Sequence, residues 1–257
     1  MKQLILVAPL ALGLLLAACG GGGSEPAATG SQGASTPSAP AVDPATAGKV
    51  AGKVTLEGTA PAPEPIQMAA DPNCARMHTT PVMTQFVVVG EGGALANSFV
   101  YLKSGVQGDF PPPSDPVVLD QQGCTYHPHV IGIQVGQPLE IVNSDETLHN
   151  IHAMPKSNKE FNIGQPVKGL KTQRTFDTQE VMIPFKCDVH KWMNSYAGVL
   201  PHPFFAVTGA DGTFTIDGVP PGSYVVEVWH ERLGTKEMNV TVAEKATAEA
   251  NFTLAAQ

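Results

Sequence analysis

Cys187-Asp188-Val189-His190-Lys191-Trp192-Met193 places a thiol, an imidazole and a thioether on one short run of chain. The spacing is C-x2-H-x2-M. Strand-like residues flank it, 181–185 before and 197–200 after, so all three side chains sit on one loop between strands. A fourth donor lies upstream in Asn143-Ser144-Asp145-Glu146-Thr147-Leu148-His149-Asn150-Ile151-His152. Thiolate, two imidazoles and thioether form a soft nitrogen-and-sulfur set. A thiolate donates strongly to Cu(II), a thioether favours Cu(I), and a rigid compromise between them suits a metal that changes oxidation state.

Working outward, the body reads as strands. Candidates are 50–57, 85–89, 98–102, 130–135, 139–143, 204–208, 213–216 and 224–229, separated by glycine and proline. Asp211-Gly212 predicts a hairpin between two of them. Residues 160–176 read as loop with short strands, and no long segment carries a helical period. The 257 residues include 26 glycines, 23 prolines and 6% aromatics, which favours an all-β chain over long helices. The formal charge of -8 argues against nucleic acid as a partner, since phosphate binding needs basic patches.

The two ligand stretches, about 40 residues apart, resemble the cupredoxins and within them the amicyanin type. The resemblance covers residues 95–203 and implies a Greek-key β-sandwich holding one type 1 (blue) copper ion. It implies His149, Cys187 and His190 as strong ligands and Met193 as the axial one. Asn150 is implied to tie the two ligand loops together by hydrogen bonds, and His190 to be the exposed ligand. Lys191 and Trp192 depart from the amicyanin loop, and Lys191 places a charge on the implied docking face. The proline-rich stretch 105–123 has no family counterpart. His152 competes with His149 as first ligand, but positions three apart on a strand face opposite ways, and the following asparagine favours His149.

The last fifty residues have another signature. Asp211 to His230, reading DGTFTIDGVPPGSYVVEVWH, resembles the transthyretin-like modules known as carboxypeptidase regulatory domains. Gly52-Lys53-Val54 resembles the opening strand of such a module, so the module is either discontinuous, with the copper domain inserted, or a C-terminal extension packed on one sandwich.

The chain thus divides into a signal peptide at 1–18, a tether at 19–48, an N-terminal β segment at 49–94, the cupredoxin domain at 95–203 and a transthyretin-like module at 204–257. Lys2, the apolar run 4–16 and Leu16-Ala17-Ala18-Cys19 resemble the lipoprotein processing signal, which implies lipid on Cys19. Residues 20–48 are almost all Gly, Ala, Ser, Pro and Thr, a composition that cannot offset the entropy of folding and makes a leash. Export implies an oxidising compartment. With Cys19 and Cys187 assigned, Cys74 and Cys124 form one pair. A disulfide there closes a loop of about 51 residues and contributes about 4 kcal/mol in the chain-entropy model. The alternative is Cys124 as a metal ligand, since Cys124-Thr125-Tyr126-His127-Pro128-His129 is crowded with donors. His127 and His129 are candidates for a second metal site, though no carboxylate or further cysteine completes it.

The function implied is a periplasmic electron carrier, not an enzyme, working with a redox protein such as a c-type cytochrome, a dehydrogenase or a respiratory complex, and meeting the membrane only through its lipid. The alternative is copper binding or delivery without redox turnover.

Overall fold

The computed structural model describes residues 42–256. The leader, Cys19 and the tether as far as residue 41 lie outside the described residues. The remainder is almost entirely β, in seventeen strands and four sheets. The strands are β1 (Gly48–Glu57), β2 (Phe99–Ser104), β3 (Val117–Gln122), β4 (Thr125–His127), β5 (Val130–Gln134), β6 (Leu139–Asn143), β7 (His149–Ala153), β8 (Phe161–Gln165), β9 (Lys171–Arg174), β10 (Glu180–Lys186), β11 (Asn194–Leu200), β12 (Phe205–Val207), β13 (Thr213–Val219), β14 (Gly222–His230), β15 (Gly234–Val242), β16 (Thr247–Glu249) and β17 (Phe252–Ala255). A five-residue helix, α1 (Pro72–Arg76), lies between β1 and β2. No helix among the described residues is long and apolar enough to cross a membrane.

Two sheets make the first sandwich. One has the order β5-β11-β10-β7-β8 and the other β4-β3-β6-β9. Their inward side chains, among them Leu119, Ile133, Ile141, Ile151, Phe185 and Val199, form one buried cluster. The other two sheets, β12-β2-β14-β15 and β13-β1-β16 with β17 on the same central strand, enclose a second cluster built on Val50, Val54, Leu102, Val226, Val228 and Phe252. The module at the C-terminus is therefore completed by β1, which runs antiparallel to β13 and parallel to β16 and β17.

Strand β2 also belongs to this second sandwich, because Phe99 pairs with Trp229 and Tyr101 with Glu227. The boundary between the sandwiches thus falls after Ser104 and not at residue 95. The reason is alternation along β2: Val100 and Leu102 face the second core, while Phe99 and Tyr101 face the junction. At that junction Gly198 and Gly132 replace side chains with space for rings. A Cβ on Gly198 would lie 2.4 Å from the Phe99 ring, and one on Gly132 would lie 2.2 Å from Phe205. Two sheets approach here at aromatic-to-backbone distance, which only glycine allows.

Three local expectations change. Residues 85–89 are not a strand; Val89 alone bridges to Leu95, because Gly92 and Gly93 take φ of 67° and 77° and turn the chain straight back. Asp211-Gly212 makes a turn but not a hairpin. Asp211 Oδ1 accepts from Thr213 N at 3.0 Å, and Gly212 O accepts from Val54 N at 2.8 Å, so the turn passes the chain from the sheet of β12 to that of β1. The last tether residues are folded: Ala47 N donates to Asp43 O at 2.9 Å, and β1 begins at Gly48.

Candidate metal centre

The loop between β10 and β11 carries Cys187, His190 and Met193. It is closed on itself: Cys187 N donates to Met193 O (3.2 Å) and Met193 N to His190 O (2.9 Å). His149 opens β7, which pairs with β10 in the register Lys186↔His152 and so lies beside the loop. Cys187 Sγ, His149 Nδ1 and His190 Nδ1 converge. The two Nδ1 atoms are 3.0 Å apart, and Sγ lies 3.9 Å from His190 Nδ1. His149 is fully buried and His190 is 1% exposed. Met193 is buried in the same cluster as Cys187.

Each imidazole is fixed by a carboxylate on its far nitrogen. His149 Nε2–H donates to Asp145 Oδ2 (2.9 Å) and His190 Nε2–H to Asp71 Oδ2 (2.9 Å). Asp145 is itself held by backbone, accepting from Gly123 N (2.8 Å) and Cys124 N (2.7 Å). Asp71 caps α1, accepting from Asn73 N at 2.7 Å. A carboxylate accepts only, so each Nε2 carries a proton towards its carboxylate and each Nδ1 is turned to the Cys187 side of the pocket. This is the orientation that carboxylate partners impose on metal-binding histidines.

Electrostatics agree with that geometry. Burial pushes the Cys187 thiol up, but hydrogen bonds from His149 and His190 outweigh it and bring it down to about 6. His190 N also donates to the sulfur at 3.3 Å. Burial opposes charge on His149, but Asp145 and Cys187 hold it above its ordinary value; Cys187 and Asp71 do the same for His190. The His190 hydrogen bond holds Asp71 below the usual carboxylate range.

The donor set fits a single metal ion. Three ligands at metal distances of about 2.0–2.3 Å in one plane stand roughly 3.5–4 Å from each other. The three donor atoms here all lie within 4.8 Å of one another, with no side chain needing to cross the fold.

Asn150 follows His149 and bridges the loops: its Oδ1 accepts from Asp188 N (2.6 Å) and its Nδ2 donates to Asn162 Oδ1 (2.6 Å). His152 points the other way, to Asp188 (3.0 Å) and Glu160 (2.7 Å). Cys74 and Cys124 are joined as a disulfide, with Cα atoms 5.6 Å apart. His127 is exposed and bonds Thr125 Oγ1 at 2.7 Å. His129 is buried and bonds Glu231, whose other oxygen accepts from Tyr196 OH at 3.2 Å.

One implied property is overturned. His190 is not an exposed ligand, because the segment leading into α1 lies over it: Asp71 holds its Nε2, and Cys74 Sγ is 3.5 Å away. Trp192 also packs near the ring, 5.1 Å between centroids, anchored by Nε1–H to Cys124 O (2.9 Å). Asp71 and Asp145 escaped the sequence reading. Asp145, four residues before His149, had a usable signal in the Asn143-Ser144-Asp145 strand end; Asp71, 119 residues from its partner, had none.

A family model for the carboxypeptidase regulatory-like domain matches residues 201–255. A search of curated sequences finds no match. Solved structures give weak, partial likenesses. The copper-containing nitrite reductase of Thermus scotoductus is 21% identical, with TM-score 0.31, over 38% of this chain and 25% of its own. An amicyanin variant in its Cu(I) form is 20% identical, with TM-score 0.29, over 33% and 81%. A purple cupredoxin of Nitrosopumilus maritimus is 20% identical, with TM-score 0.28, over 32% and 97%. The chain thus spans about a quarter of the reductase's length.

Proposed function

We propose that this protein is a type 1 copper protein that carries single electrons between redox partners at the cell envelope. The observation that carries the reading is the convergence of His149 Nδ1, His190 Nδ1 and Cys187 Sγ in a buried pocket whose imidazoles are fixed from behind. Copper bound there supplies a one-electron couple. The chain's contribution is rigidity. Asp145 and Asp71 hold the ring planes, the closed loop holds the sulfur, and Asn150 keeps the two loops in register, so the donors are in position before and after an electron passes. Met193, buried in the same cluster as Cys187, would be the fourth donor.

The remaining histidines support a carrier over a delivery protein. His127, His129 and His152 are engaged by Thr125, Glu231 and the Asp188–Glu160 pair, so these three form no open cluster for transfer. The reading makes the protein a carrier without a substrate-converting centre, tethered in the periplasm through lipid on Cys19. Its partner is a redox protein of the class of c-type cytochromes, dehydrogenases or respiratory complexes.

The test is spectroscopic. The purified protein receives one equivalent of Cu(II), and visible and electron-paramagnetic spectra are recorded. An intense thiolate-to-copper band that ascorbate bleaches and oxidant restores is expected. A pale Cu(II) spectrum would mean that Cys187 is not a ligand and would overturn the reading.

A further inference from the structure

Residues 68–77 do more than connect strands. Met68 and Cys74 are buried in the core of the metal-site sandwich. Asp71 reaches His190 Nε2 at 2.9 Å, and the Cys74 sulfur lies 3.5 Å from the same nitrogen. His78 Nε2–H donates to Gly123 O at 2.8 Å, fastening the far end of the segment. The disulfide joins this segment to Cys124, whose own N–H holds Asp145 at 2.7 Å, and Asp145 in turn holds His149. One covalent bond therefore links the supports of both imidazoles.

We propose that the Asp71–Cys74 segment, latched by the Cys74–Cys124 disulfide, is a cover over His190 that sets how fast metal enters and leaves the centre, with Asp71 as the positioning residue for His190. This rests on the reading of the centre as a copper site. Without the latch, the segment is held by its short helix, two buried side chains and two histidine hydrogen bonds, Asp71 to His190 and His78 to Gly123. Segments with so few ties open locally far more often than the core. Opening removes the carboxylate from His190 and uncovers the ligand cluster from that side.

Two experiments test it, one with copper and one without. Full-length wild type, Asp71→Ala and the double variant Cys74→Ser/Cys124→Ser are loaded with one equivalent of Cu(II) and mixed with excess EDTA, and the decay of the thiolate band is followed. Both variants should lose copper at least about tenfold faster than wild type, the scale seen when a ligand's carboxylate partner is removed. In metal-free protein, iodoacetamide alkylation of Cys187 is followed by mass spectrometry of its peptide. The thiol is buried, so alkylation should be slow in wild type and about tenfold faster in both variants if opening is the route. Rates within twofold of wild type for Asp71→Ala in both assays would overturn the cover. Should the double variant fail to fold, Asp71→Ala alone decides, and Asp71→Asn, which keeps an acceptor oxygen, should restore most of the protection. A wild type with no thiolate band sinks the copper reading while the alkylation assay still judges the cover.

Discussion

The two sandwiches are built from similar strands, yet they bury different things. The core of β1, β2 and β12–β17 is a cluster of aliphatic and aromatic side chains, and the polar groups buried beside it, His202, Glu227 and His230, belong to no group of metal donors among the described residues. The other core runs from Ile133 and Phe185 into Cys187 and Met193, and His149, His190, Asp145, Asn143, Asn150 and Gln165 are buried beside it. Buried polar groups cost stability unless each finds a partner. The groups around the donor atoms do: Asn143 Nδ2 donates to Thr147 O and Gln165 O at 3.0 and 2.9 Å, and Asp145 N donates to Asn143 Oδ1 at 2.9 Å. The comparison separates a part that holds itself together from a part that holds donor atoms still.

Four measurements break or sharpen that comparison. The largest effect belongs to Cys187→Ser, which should abolish the thiolate-to-copper band outright while circular dichroism keeps its β signature. A variant that stays blue would place the thiolate elsewhere. Next is Leu102→Ala in the apolar core. It should cost about 2–5 kcal/mol in denaturant unfolding, by lost burial plus the cavity left behind, and leave the band's position unchanged. A shifted band would show that the metal site feels the second core directly.

The third is a pH dependence rooted in the module. Burial drives His230 down to about 4, against the pull of Glu231, from an ordinary 6.5. Burial lowers His202 as well. The unfolded chain takes up these protons first as pH falls. Stability from His230 is therefore complete above about pH 6.5 and drains away towards pH 4, by about 3 kcal/mol in all. His230→Gln should flatten that slope in unfolding titrations. A slope that survives the substitution would locate the titration in other groups. The smallest effect is that of His152→Ala. It removes a part-exposed imidazole from Asp188 and Glu160, a contact of the kind worth about 0–1 kcal/mol, and the thiolate band should persist. Loss of the band on this change, with a blue His149→Ala, would exchange the two histidines as ligand.

The Cys187–Met193 loop stands out in sequence as a candidate site because its chemistry is local: three donor types within one turn of chain need no long-range pairing to be recognised. The strand pattern was legible for the same reason wherever alternation was strong, as in Leu139–Asn143. What escaped depends on distance. Strand Gly234–Val242 is mostly exposed and polar, and only its pairing with β14 makes it a strand. Asp71 acquires its role from a residue 119 positions away. Whether Gly52-Lys53-Val54 opened the C-terminal module stayed open in sequence, because that pairing joins chain segments on either side of the inserted sandwich.

Strand β1 sets a schedule for the whole molecule. Its residues Val54 to Glu57 are held in a strand ladder by Phe252 to Ala255. The inserted sandwich, by contrast, draws its sheets from a continuous stretch, β3 to β11. A chain emerging from its N-terminus can therefore finish the inner unit while the outer one still lacks its last strand, since contacts between distant residues wait on closing the intervening loop. The first strand of the module to be made is among the last to be secured, and it is secured around a unit already assembled, as a clasp shuts on a finished locket.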